Sequence, residues 1–190
     1  MVDLTGLHKH FIAEHLGEGE IAVDFTMGNG NDTLFLSKTV GDTGKVYAFD
    51  IQEEALLSTR ERLKREGAPD NYTLICASHH RVREFVNEPI KAGMFNLGYL
   101  PGSGKKAVTT MRETTMPAVR AAIELLAPDG VLIVAIYPGH EEGALEGEML
   151  REYFSTLSKY RICASEFRIL NSESSPYFFL IEKSPRIFNS

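Results

Sequence analysis

Eight residues in one short stretch have types and spacing that suit ligand chemistry. They are Asp24, Thr26, Gly28, Asn29, Gly30, Asn31, Asp32 and Thr33. An apolar strand signal, Ile21-Ala22-Val23, precedes them, and Leu34-Phe35-Leu36 opens a helix after them. A strand that turns through Gly-x-Gly into a helix N-terminus forms a nucleotide-binding corner. The glycines let the backbone approach a ligand, and the first helical N–H groups face it. The plainer alternative is a strand-to-helix turn capped by Asn31 or Asp32.

The spacing argues against a dinucleotide pyrophosphate. That fingerprint needs a third glycine to pack helix on strand, and Thr33 stands in its place. Asp24 lies four residues before Gly28, where a carboxylate would repel a pyrophosphate but suit a positive ligand group. The methionine end of S-adenosylmethionine carries an ammonium, a carboxylate and a sulfonium, and can use both an acid and free N–H groups. Asp50 ends the next strand signal, Gly44–Asp50, and Gln52 starts an amphipathic helix over 52–66. An acid at that strand tip can accept both ribose hydroxyls, in NAD and S-adenosylmethionine sites alike, or can simply sit at a helix N-terminus. Ser78 and His79 follow a third strand, Tyr72–Ala77, and fit either adenine contacts or a helix cap beside exposed imidazoles.

A second chemical stretch follows the fourth strand signal, 92–97, and runs from Asn96 through Leu97 and Tyr99 to Lys105 and Lys106. Its Gly-Ser-Gly-Lys segment is not a phosphate loop, because Tyr99 occupies the required glycine place and neither Ser nor Thr follows Lys105. Asn96 and Tyr99 share the spacing of the Asn/Asp-Pro-Pro-Tyr tetrapeptide of amino-group methyltransferases, with Leu97 and Gly98 replacing the prolines. In that arrangement an amide oxygen and a backbone carbonyl hold the accepting nitrogen, and the ring packs on the target base.

The elements that must position these residues alternate regularly. A helix over 3–16 carries His8, Lys9 and His10, read as a surface near the substrate because no ligand set for a metal is completed. Residues 109–126 are expected to form one helix or a kinked pair at Pro117. Asp129-Gly130 turns into a fifth strand, 131–136, whose continuous apolar run fits burial on both faces. A helix over 143–158 precedes two strands, 161–170 and 177–182, with no helix between them. The expected fold is α/β: a Rossmann-like class I methyltransferase sheet, mostly parallel, with a C-terminal antiparallel hairpin and helices on both faces. The polar clusters all fall at strand C-terminal ends, where such sheets bind ligands.

A length of 190 residues, 43% of them hydrophobic, suits a single domain over 1–190. A formal charge of −6 gives no global attraction to nucleic acid, so any RNA contact needs a local basic patch. Cys76 and Cys163 lie in apolar runs and are expected to be buried free thiols in a reducing compartment. No secretion signal or membrane span is seen, and a cytoplasmic protein is expected. Oligomeric state stays open, a homodimer being one expectation.

Five segments carry a family resemblance: Asp24–Leu36, Phe49–Ala55, Ser78-His79, Phe95-Asn-Leu-Gly-Tyr-Leu-Pro101 and Gly139-His-Glu-Glu-Gly143. Together they resemble the MnmM/YtqB family over nearly the whole chain. The stretch Asn171–Pro176 departs from the family's Asn-Gln-x-Asn-x-Pro-Pro pattern. What the resemblance implies is S-adenosylmethionine-dependent N-methylation of the aminomethyl group of 5-aminomethyl-(2-thio)uridine at the tRNA wobble position, with S-adenosylhomocysteine as product and no metal. By position, Asn29 and Asn31 meet the methionine moiety, Asp50 and Gln52 the ribose region, and Ser78 and His79 the adenosine end. Asn96, Leu97 and Tyr99 position the acceptor amine. Lys105, Lys106 and Arg112 are the nearest basic residues for anticodon stem-loop phosphates, or a solvated loop. His140 is a candidate for proton handling, base contact or a loop hydrogen bond. The rival expectations are an rRNA or small-molecule amine methyltransferase, an NAD-type oxidoreductase and a non-catalytic RNA-binding module.

Overall fold

The computed structural model describes residues 4–98, 110–139 and 141–185. In chain order these form α1 (Leu4–His15), β1 (Ile21–Asp24), α2 (Asn31–Val40), β2 (Lys45–Asp50), α3 (Glu53–Arg65) and β3 (Tyr72–Cys76). A short 3₁₀ helix, His79–Glu84, leads to β4 (Ile90–Leu97), α4 (Arg112–Leu125) and β5 (Leu126–Ile136). The chain continues with α5 (Glu141–Ser155), β6 (Ile162–Phe167) and β7 (Tyr177–Lys183).

The seven strands make one sheet in the order β3-β2-β1-β4-β5-β7-β6. Strands β1 to β5 pair in parallel, β7 runs antiparallel to β5, and β6 pairs antiparallel with β7. The order reverses between β1 and β4, so their C-terminal ends open the crevice in which such sheets bind ligands.

Side chains alternate across the sheet with the period of two that strands impose. In β5, Leu132, Val134 and Ile136 pack with Ala118, Val119, Ala122 and Ile123 of α4 and with Leu150 and Phe154 of α5. Val131, Ile133 and Ala135 point the other way, with Ile12 of α1, Leu16 just after it, and Leu36 and Val40 of α2. Both faces are covered, so the central strands need apolar residues at every position, and β5 reads as an unbroken run.

Several sequence expectations change. Of the two expectations for 109–126, the single helix holds: Pro117 lies inside α4. Asp129-Gly130 does not end a loop. It belongs to β5, which starts at Leu126, and the register with β4 shifts between Ile90 and Ala92 while Asp129 takes a φ of 59°. An irregular strand start, not a turn, accommodates the Asp-Gly pair. Cys76 and Cys163 are free but exposed, not buried. They sit on β3 and β6, the two edge strands, where one side of the strand lacks a covering layer. Among the described residues no helix is long and apolar enough to cross a membrane.

Candidate active site

Asp24 organises the glycine corner from below. Its side chain is fully buried. Oδ2 accepts a hydrogen bond from the Thr33 hydroxyl at 2.6 Å and Oδ1 accepts one from the Thr26 N–H at 3.1 Å. Burial disfavours the charged form and Asp32 adds like charge, so its pKa rises to about 7 although these two hydrogen bonds pull it down. Asp24, Gly30 and Thr33 therefore support the corner rather than line the cavity above it. Thr26 does line it, and its hydroxyl oxygen accepts from the Asn96 N–H at 2.7 Å. That bond ties the tip of β1 to the tip of β4.

Neither Asn31 nor Asp32 caps α2. The N-cap is Gly30, with φ 76° and no side-chain cap, and Asn31 and Asp32 form the first turn. An acid there is favoured by the helix dipole, and the Asp32 carboxylate is used elsewhere, as described below.

A cavity of about 820 Å³ opens over these strand ends. Gly28, Asn29, Asn31, Asp50 and Gln52 line one end. Asp50 Oδ2 accepts from the Gly28 N–H at 3.1 Å and Oδ1 accepts from the Gln52 N–H at 3.0 Å. The same carboxylate thus fixes the turn and faces the cavity. Desolvation raises its pKa, against the opposing pull of the backbone donors. Asn29 is braced from α3: Ser58 donates to its Oδ1 at 3.1 Å and Arg62 donates to its backbone carbonyl at 2.6 Å.

Ser78 and His79 line the cavity beyond the tip of β3. His79 is buried, and its Nδ1 lies 3.3 Å from the Phe25 carbonyl oxygen. A carbonyl only accepts, so Nδ1 carries the proton. Desolvation lowers the pKa to about 4, which keeps the ring neutral. Nε2 is then a bare acceptor, buried and without a hydrogen-bond partner among the described residues. Such a group calls for a donor.

The other end of the cavity is lined by Asn96, Gly98, Thr110, Met111, Thr114 and Tyr137, with His8 and Lys9 from α1. Asn96 Nδ2 donates to Asp32 Oδ2 at 2.7 Å, and Asp32 Oδ1 lies 3.0 Å from Lys9 Nζ. The Tyr137 hydroxyl donates to Asn96 Oδ1 at 3.4 Å. Burial, with Asp32 second, raises the Tyr137 pKa, so the phenol holds its proton at neutral pH and acts as a donor. Leu97 is fully buried in the core, which leaves only its backbone for a ligand. Arg112 is engaged by Glu142, whose Oε1 accepts from both its N–H at 3.1 Å and its Nε at 3.0 Å. Tyr99, Lys105, Lys106 and His140 lie outside the described residues.

Sequence reasoning did not assign Tyr137, Thr110, Met111 or Thr114 to the site. Tyr137 was legible, since it follows the C-terminal end of β5 directly. Thr110, Met111 and Thr114, at and just before the start of α4, carry no signal of their own: Thr110 N–H donates to the Gly98 carbonyl at 3.1 Å, which brings the start of α4 to the tip of β4. His8 and Lys9 lie in the N-terminal helix, read as a surface near the substrate; both line the cavity, but His8 is buried rather than on the surface.

Residues 46–183 match the family described as "Putative rRNA methylase". The chain is 36% identical over 176 residues to an Arabidopsis thaliana protein named tRNA (mnm(5)s(2)U34)-methyltransferase, chloroplastic. That match covers 87% of this chain and 64% of the relative, so the chain spans under two thirds of the relative's length. A crystal structure from Clostridium thermocellum, described as a putative rRNA-methylase, superposes with a TM-score of 0.92 at 36% identity, covering 96% of this chain and 98% of that one. A putative methyltransferase from Streptococcus mutans, solved in complex with SAH, gives 0.86 at 35% identity, covering 96% and 99%. The fold is that of the Rossmann-like methyltransferases, and the chain belongs to the family described as "Putative rRNA methylase", the one to which its MnmM/YtqB-like motifs point.

Proposed function

We propose that this protein is an S-adenosylmethionine-dependent methyltransferase that methylates the exocyclic aminomethyl nitrogen of 5-aminomethyl-(2-thio)uridine at the wobble position of tRNA. The observation that carries the proposal is one continuous cavity joining Asp50 to Asn96. At one end are groups suited to a nucleoside with a cationic tail, and at the other an amide suited to an amine.

The residues fit the cofactor. Ser78 and His79 line the cavity beyond the tip of β3, where the adenine end of the cofactor would lie. An ionised Asp50 has about four acceptor sites; the Gly28 and Gln52 N–H groups occupy two and the Ile51 N–H also acts on the carboxylate, which leaves at least one for a ribose hydroxyl. The Asp50 carboxylate faces the donor end and its charge reaches Asp24 beneath the turn, so that end is acidic and favours a positively charged ligand over a pyrophosphate. The relative bound to SAH supports the same assignment.

When bound, S-adenosylmethionine supplies a methyl group already activated by the sulfonium. The chain therefore contributes mainly proximity and alignment. The accepting amine must be neutral to attack. Asn96 Oδ1 can accept one of its N–H bonds without introducing the negative charge that would favour the ammonium form. The wobble-uridine assignment rests on the Arabidopsis relative's name and on the motif resemblance.

The test is incubation of the purified protein with S-adenosylmethionine and tRNA isolated from cells lacking the gene, followed by mass spectrometry of the nucleosides. Conversion of 5-aminomethyl to 5-methylaminomethyl uridine is expected, and Asn96→Ala should slow it by about tenfold or more while cofactor affinity stays nearly intact. Methylation of rRNA or of a small amine in place of tRNA would replace the substrate. Nicotinamide cofactor binding in place of S-adenosylmethionine would overturn the enzyme class.

A further inference from the structure

Asn96 has its two polar atoms in different surroundings. A carboxylate has no proton to donate, so the atom of Asn96 that lies 2.7 Å from Asp32 Oδ2 is the nitrogen. The oxygen is consequently turned to the Tyr137 side, where the phenol donates to it at the long distance of 3.4 Å. Asp32 is itself fixed from a third element, because Lys9 on α1 holds its other oxygen at 3.0 Å. Both partners are largely shielded, with side-chain exposures of 28% for Lys9 and 12% for Asp32. An ion pair this sheltered keeps more of its strength than a surface pair. The Asn96 backbone N–H, bonded to Thr26, sets where the side chain starts. The Asp32 contact sets which way its amide faces.

Resting on the acceptor role given to Asn96 above, we propose that Asp32 and Lys9 are positioning residues for the methyl-accepting step: they lock the Asn96 carboxamide so that Oδ1, not Nδ2, meets the incoming amine. A freely flipping amide would present a donor to the amine for part of the time, and a donor there opposes binding of N–H. Tyr137 completes the arrangement as a weak partner that holds Oδ1 in place until an amine N–H replaces it. Asp32 thereby acts at the acceptor end of the cavity, not on the methionine tail, and α1 becomes part of the catalytic apparatus rather than an outlying cover.

The experiment combines Asp32→Asn, Lys9→Met and Lys9→Arg with Asn96→Ala. Asp32→Asn should lower kcat by about tenfold with cofactor affinity within about threefold of wild type, and Lys9→Met should lower it less. Lys9→Arg should recover the loss. In the Asn96→Ala background, Asp32→Asn should cost nothing further, because the amide it orients is gone. Additive losses in that background, or a tenfold loss of cofactor affinity in Asp32→Asn with kcat unchanged, would overturn the proposal. A readout independent of turnover separates this from failure of the tRNA assignment. The Asn96 side-chain amide signals, identified by their absence in Asn96→Ala, should shift and lose protection from solvent exchange in Asp32→Asn. Unchanged signals would overturn the proposal even if tRNA methylation is confirmed, and changed signals would sustain the amide lock even if another amine proves to be the substrate.

Discussion

Gly30 packs against Thr59: a Cβ at Gly30 would lie 2.9 Å from the Thr59 hydroxyl and 3.0 Å from its Cα. This glycine takes a φ of 76°. It therefore serves two needs, the left-handed backbone that starts α2 and the close approach of α3. Gly28 is different. It has a φ of 50° and lines the cavity. Of the two glycines in the Gly-x-Gly turn, one admits a ligand and one admits a helix. Gly30→Ala should cost on the order of 2–4 kcal/mol, from backbone strain plus a contact that only backbone movement can relieve. Chemical denaturation measures it. Because Thr59 also donates to the Gly28 carbonyl at 3.0 Å, Thr59→Ala should not rescue the variant fully. A Gly30→Ala protein as stable as wild type would show that α3 is free to move away.

Asp24 gives the fold a pH dependence of definite sign. Its pKa is about 7 in the folded protein against an ordinary value of 3.8. Between those two values the folded state holds a proton that the unfolded state has released. Stability should therefore be greatest below the lower value, fall as pH rises through the window, and level off above about 7. One proton limits the slope to about 1.4 kcal/mol per pH unit. Asp50 and Glu146 are also raised by burial, so the slope of the wild type alone does not isolate Asp24. The difference between wild type and Asp24→Asn does. The variant should gain stability relative to wild type as pH is raised from about 5 to about 8. A difference that stays constant with pH would mean that the carboxylate is ionised throughout.

The fold was largely legible because its signals are local and repeated. Each parallel strand shows an apolar run, and a missing helix between 167 and 177 marks the antiparallel pair. The donor corner was legible for the same reason, since Asp24 to Thr33 are contiguous. The details that failed depend on tertiary packing. Nothing local says that the Asp24 carboxylate is consumed by Thr33 and Thr26, or that Asp32 turns toward Lys9 and Asn96, sixty-four residues away. Cys76 and Cys163 were misread because the order of strands in the sheet, not their apolar content, decides which are edges.

Asp50 and Asn96 should separate binding from turnover. Asp50→Ala removes the acceptor that faces the donor end of the cavity and frees the Gly28 and Gln52 N–H groups that it holds. Titration calorimetry with S-adenosylhomocysteine should show an affinity loss of about tenfold or more, together with a stability loss of about 1 kcal/mol. Asn96→Ala should leave that affinity nearly unchanged. Equal affinity for wild type and Asp50→Ala would remove Asp50 from the ligand site and leave it a turn-bracing residue only.

Glu146 clamps the base of the acceptor-side loop from the interior of α5. Its carboxylate is fully buried and accepts from the hydroxyls of Thr115 at 2.5 Å and Thr110 at 2.8 Å. One turn earlier, Glu142 holds the N–H and guanidinium of Arg112. Two successive turns of α5 thus grip the start of α4, and Thr110 in turn holds the Gly98 carbonyl. Burial raises the Glu146 pKa, with the Thr115 and Thr110 hydrogen bonds opposing it. A neutral side chain of the same shape should therefore be tolerated. Glu146→Gln can still accept from one hydroxyl and donate to the other, and should cost under about 1 kcal/mol. Glu146→Ala leaves the buried Thr115 hydroxyl and the Thr110 hydroxyl unmatched, and should cost about 2–4 kcal/mol, cavity included. Because Thr110 lines the cavity beside Gly98, the alanine variant should also raise KM for the methyl-accepting substrate more than the Kd for cofactor. Equal losses in both would mean that Glu146 supports the sheet as a whole rather than the acceptor end.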